Sequence, residues 1–144
     1  MITLDDARRV ISAAEKKARE IGQPMNIAVV DGGGNLVSHV RMDGAWLGSI
    51  DISINKAFTA RAFDISTAEL ARNSQPGQQF FGIHVSNHER VMIFAGGVPL
   101  RRDGSIIGAI GVSGPIERLG AKPGRRLARA VVAAAVRLGA VIAG

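Results

Sequence analysis

Arg41, Asp43, Lys56 and Thr59 stand among apolar neighbours, in the stretches Arg41-Met42-Asp43-Gly44-Ala45 and Lys56-Ala57-Phe58-Thr59-Ala60. A charge in such surroundings is costly to bury unless it is paired. Two arrangements satisfy that requirement. In one, the four side chains form an internal lattice in which Asp43 caps the following helix and pairs Arg41 or Lys56. A carboxylate at a helix N-terminus contributes roughly 0.3–1 kcal/mol. In the other, they floor a polar pocket, where Arg41 or Lys56 holds a carboxylate and Thr59 donates a hydrogen bond. The two are compatible, since one pair can orient while another binds.

The chain has three histidines. His39 shares a strand face with Arg41, and a neighbouring guanidinium favours neutral imidazole, which suits a general base. The competing reading is a hydrogen-bonded side chain between sheet and helix. His84 and His88 have the i, i+4 spacing of a HExxH metal site, but His84-Val85-Ser86-Asn87-His88 lacks the glutamate and reads as a loop. No metal site is expected there; a loop histidine that reaches a pocket is. Gly96-Gly97 with Pro99 suits a bend whose backbone N–H groups face a ligand, or a tight turn set by packing. Gly32-Gly33-Gly34 is no phosphate loop, because no helix follows it. Ser113 is no nucleophile elbow, because Pro115 stands where glycine is needed.

Those residues need elements to position them. Thr3 with Asp6 predicts a capped helix start, and Leu4, Ala7, Val10, Ile11, Ala14, Ala18 and Ile21 recur at helical spacing until Gly22. Met25–Val30 and Leu36–Met42 read as a hairpin around Asp31–Asn35. Val37, His39 and Arg41 fall on one face of the second strand. A helix is predicted over about 46–63, a short one over 68–72, and a loop over 73–88. Further strands are expected at Val91–Phe94, Val98–Arg101 and Ile106–Val112, and a last helix from Gly124. Strands joined by short turns are antiparallel, and helices bracket them, so the fold class is α+β in one domain.

Composition narrows the function. With 144 residues the chain can bury a real core without staples. It has no cysteine, which excludes disulfides, thiolate metal sites and Cys nucleophiles. No apolar run reaches membrane-spanning length. The N-terminus lacks a basic segment followed by an apolar one, so no secretory leader is expected and a cytoplasmic location is. The net charge of +6 arises entirely after residue 100, where eight basic side chains meet two acidic ones. Fourteen of the eighteen basic residues are Arg, which favours forked contacts to carboxylate or phosphate. Without tyrosine or interleaved aromatics, nucleic acid is not the expected partner. A basic helix face is.

Five ordered motifs carry a family resemblance: Ile27–Leu36, Arg41–Ala45, Lys56-Ala57 with Thr59-Ala60, Gly96–Leu100 and Gly108–Gly114. Together they resemble the GlcG/HbpS family of haem-binding or haem-degrading domains, which includes the C-terminal domain of PduO-type proteins. The resemblance covers about residues 2–114. It implies a profilin-like or PAS-like α/β/α domain around a five-stranded antiparallel sheet, assembled as dimers or larger rings. Haem binding by some members implies an axial ligand, with His39, His84 and His88 as candidates. One departure is plain. The family's Gly-Thr-rich turn and Gln-Asp pair are replaced by the basic, proline-bounded segment 115–124.

Two functions from different classes follow. One is a domain that binds haem or a small carboxylate in a pocket near a subunit interface. The other is a cofactor-free lyase, hydratase or isomerase, with Arg41 or Lys56 holding a carboxylate and His39, His84 or Asp43 moving the proton. There the Gly96-Gly97 backbone would stabilise an oxyanion.

Overall fold

The computed structural model describes residues 1–114; the expected last helix and the 115–124 segment lie outside them. Helix α1 spans Leu4–Glu20. Its start is a reciprocal capping box: Thr3 Oγ1 accepts from Asp6 N–H at 3.1 Å, and Asp6 Oδ2 accepts from Thr3 N–H at 3.0 Å. Strands β1 (Asn26–Asp31) and β2 (Leu36–Arg41) form the hairpin. In its turn Asp31 Oδ1 accepts from the N–H groups of Gly33 and Asn35. Helix α2 is Ser49–Phe63 and α3 is Thr67–Asn73. A 3-10 turn at Ile83–Val85 and a four-residue turn α4 at Ser86–Glu89 follow. Strands β3 (Gly97–Arg102) and β4 (Ser105–Ser113) close the described chain.

The described strands make one antiparallel sheet in the order β2-β1-β4-β3. It has four strands, not the five expected. The missing one is Val91–Phe94, which runs outside the sheet. Its Met92 N–H is satisfied by the Thr59 hydroxyl at 2.9 Å instead of a neighbouring strand. A side chain of α2 therefore does what a ladder would have done.

Alternation along β1 sorts the core into two layers. Ile27 and Val29 pack with Val10, Ile11 and Ala14 of α1, and with Ile110 and Val112 of β4. Ala28 and Val30 face the other way, toward Ala57 and Ala60 of α2 and Ala109 of β4. The α2 side is built from small residues, so the helix lies very close to the sheet. A Cβ on Gly111 would run into the Ser53 carbonyl and come within 2.5 Å of Ala57 N. Among the described residues no helix is long and apolar enough to cross a membrane.

Candidate functional site

The layer between α2 and the sheet carries most of the buried polar side chains. Ser49, Ser53, Asn55, Lys56 and Thr59 of α2 are all buried, as are Asn26 and Ser113 of the sheet. Cross-strand partners share a face, so the register places Arg41, Asn26 and Ser113 in one row under α2. His39, Ala28, Gly111 and Gly97 form the next.

Lys56 is the centre of this layer. Its side chain is 4% exposed. Nζ donates to the Val112 carbonyl at 3.0 Å and lies 4.3 Å from the centroid of the Phe94 ring. No carboxylate pairs with it among the described residues. Burial disfavours the charged form and lowers the Lys56 pKa to about 8.

Gly96 and Gly97 wrap this lysine. A Cβ on Gly96 would stand 2.8 Å from Lys56 Nζ, and its φ of +132° favours glycine in any case. At Gly97 a Cβ would collide with the Lys56 carbonyl and meet Thr67 Cγ2 at 2.7 Å. Gly97 N–H donates to Thr67 Oγ1 at 2.9 Å, and the Gly96 carbonyl accepts from Val112 N–H at 2.9 Å. One of the two backbone donors expected to face a ligand is thus committed inside the fold. Pro99 pairs with Ala109 in β3, away from the bend.

Thr59 is a hinge pin. Its hydroxyl donates to Asn55 O at 2.7 Å, reaches Arg90 O at 3.4 Å, and accepts from Met92 N–H. Arg90 stacks on the Phe58 ring, with 3.7 Å between guanidinium carbon and centroid. These contacts hold residues 90–92 against α2.

The Arg41–Asp43 stretch is not joined to Lys56. Arg41 and Asp43 are both exposed, and neither makes an ion pair among the described residues. The expected lattice of Asp43 with Arg41 or Lys56 does not form. Nor does Asp43 cap a helix: α2 starts at Ser49 behind the N-cap Gly48. Strand β2 ends at the sheet edge, and its last residues instead line an open groove of about 420 Å³ with Glu15, Arg19, Val40 and Met42.

The histidines separate into two environments. His39 lies on the α2 face of the sheet, where desolvation lowers its pKa and Nε2 is buried without a hydrogen-bond partner among the described residues. The cause is burial, not the Arg41 charge expected from the sequence. His84 and His88 are exposed on the 82–90 segment. The His84 ring meets Phe81 edge-on at 6.5 Å between centroids. Phe80, Phe81 and Val85 around it are 39%, 61% and 63% exposed. Asn87, His88 and Glu89 all take left-handed φ, between 54° and 62°. No group of three metal-ligating side chains occurs among the described residues.

Three participants were missed in the sequence. Phe94 falls within the run expected as a strand, and the Gly96-Gly97 bend two residues on is the signal that could have set it apart. Ser66 caps α3, which leaves Thr67 Oγ1 to accept from Gly97 N–H. Asn26 donates to the Trp46 carbonyl at 2.9 Å and has no partner at Oδ1 among the described residues; no motif marks it.

An α+β domain with helices on both faces of its sheet, and a glycine-wrapped lysine on helix α2, defines the class. Residues 2–118 match the model of the family described as haem degrading protein HbpS-like, and the chain belongs to that family. It is 45% identical over 113 residues to a 15.0 kDa protein of Citrobacter freundii from the dhaT-dhaS intergenic region, covering 78% of this chain and 80% of that one. Among solved structures it is similar to Klebsiella pneumoniae ORFY (TM-score 0.82, 39% identity, 94% of this chain and 90% of that one). It is also similar to PduOC solved as a haem complex (TM-score 0.80, 31% identity, 92% and 94%).

Proposed function

We propose that this chain is a haem-binding domain, with His84 as the axial ligand and the apolar residues around it as the platform for the porphyrin. The observation that carries this reading is the exposed imidazole of His84 set against Phe81 and flanked by Phe80 and Val85. Large apolar side chains left in solvent mark a binding surface. A neutral imidazole is a ready iron ligand. His39 is less suited, since its Nε2 faces the α2 layer and not solvent. Resemblance to a chain solved with haem supports the choice of ligand. Bound haem would supply redox and ligand-binding chemistry; this chain's residues would hold it and shield one face.

The same exposed surface suits contact with a second copy, so the pocket is proposed to lie near an interface of a homo-oligomer. Arg41, which makes no ion pair among the described residues, supports a second reading in which a small carboxylate binds in its groove. Titration of the purified chain with hemin, followed at the Soret band, tests the primary reading. Saturable binding at one haem per chain or per interface supports it. A linear, unsaturable increase contradicts it, and saturation by carboxylates alone would favour the Arg41 groove.

A further inference from the structure

We propose that Lys56 is a carbonyl-capturing residue, whose Nζ forms an imine with a small uncharged aldehyde admitted when the Phe94 ring moves aside. This goes beyond haem binding and does not depend on it.

The surroundings of Nζ are those of a reactive amine and not of a structural charge. A buried lysine that stabilises a fold is normally paired with a carboxylate, and Lys56 has none among the described residues. Among the described residues its polar contacts are one carbonyl oxygen and the face of one ring. Burial lowers its pKa to about 8, so a useful fraction of neutral amine exists near neutral pH.

Access is built into the cover. Phe94 is 46% exposed and belongs to no strand. The backbone is pinned on either side of it, at Met92 N–H by Thr59 and at the Gly96 carbonyl by Val112 N–H. Between those pins the Phe94 ring lies 4.3 Å from Nζ, and Gly96 supplies a φ of +132° at the end of the span. Space beside Nζ is tight, since even a Cβ on Gly96 would stand 2.8 Å from it. It offers no second cation among the contacts of Nζ, so a 2-oxo acid is disfavoured against an uncharged aldehyde.

The step balances without a further reactant. The neutral Nζ attacks the carbonyl carbon, and a proton passes from nitrogen to oxygen to give a carbinolamine. Loss of water then forms the C=N bond.

The test is reductive trapping of the full chain with acetaldehyde and sodium cyanoborohydride at pH 7, read by peptide mapping. A lysine amine at its ordinary pKa has a neutral fraction roughly a hundredfold smaller at this pH, so the Lys56 peptide is expected to be alkylated ahead of the peptide that holds Lys16 and Lys17. The Met1 amine is read separately by its own peptide. The rate should rise with pH to a midpoint near 8 in the unaltered protein, which does not rely on any variant folding. F94A should speed labelling at least severalfold, and pyruvate should label more slowly than acetaldehyde. Labelling of Lys56 only after denaturation, or no faster than the surface lysines, overturns the proposal. An unchanged rate in F94A overturns the role of the ring, and faster labelling by pyruvate overturns the substrate class.

Discussion

Lys56 ends 4.3 Å above the ring of Phe94, a residue that the sequence assigns to a strand and the fold leaves outside the sheet. An ammonium group over an aromatic face gains about 0.5–2 kcal/mol. That is small beside the cost of desolvating an unpaired charge, which is why its pKa falls instead.

The sign of the pH effect follows. Lys56 titrates at about 8 in the folded chain against 10.5 for the free side chain. Between those values the unfolded chain binds more protons, so stability rises with pH across that window. The full effect is about 3 kcal/mol. Urea midpoints measured from pH 7 to 10.5 should climb in the native protein and flatten in K56M. A midpoint that falls across the same range in the native protein, with K56M unchanged, contradicts the burial of an unpaired amine.

Thr59 should matter through one hydroxyl. T59V keeps the shape but leaves Met92 N–H without an acceptor, and an unsatisfied buried donor costs about 1–3 kcal/mol. T59S should recover most of that loss in chemical denaturation. Equal stability of all three would mean that residues 90–92 are held by something else.

Gly97 should tolerate no side chain. The Lys56 carbonyl and Thr67 Cγ2 occupy the place of a Cβ, and both are parts of buried elements. G97A should destabilise by about 1–3 kcal/mol or more, as overpacking does, and its lysine should become more exposed. Hydrogen exchange at Gly97 N–H, now protected by Thr67, should accelerate in the same variant.

How far the sequence carried depends on the kind of signal. The capping box of α1, the β1–β2 hairpin and α3 were legible, because each is set by neighbours within a few residues. The family was legible from five ordered motifs. Val91–Phe94 was misread, since its apolar run is typical of a strand and the deciding contact comes from Thr59, more than thirty residues away. The link drawn between Arg41, Asp43 and Lys56 failed for a related reason. Their closeness in the chain suggested one cluster, but β2 ends at the sheet edge while Lys56 points into the centre. Lys56 and Thr59 stood out as polar residues among apolar neighbours and both are buried, whereas Phe94 and Thr67 carry no local mark of their contacts.

The most direct test of the haem reading is the spectrum of the ferric complex of the native protein and of H84A at matched hemin saturation. The account predicts a histidine-ligated Soret and visible spectrum that is lost or shifted in H84A and retained in H39A and H88A. A spectrum unchanged in H84A would contradict it.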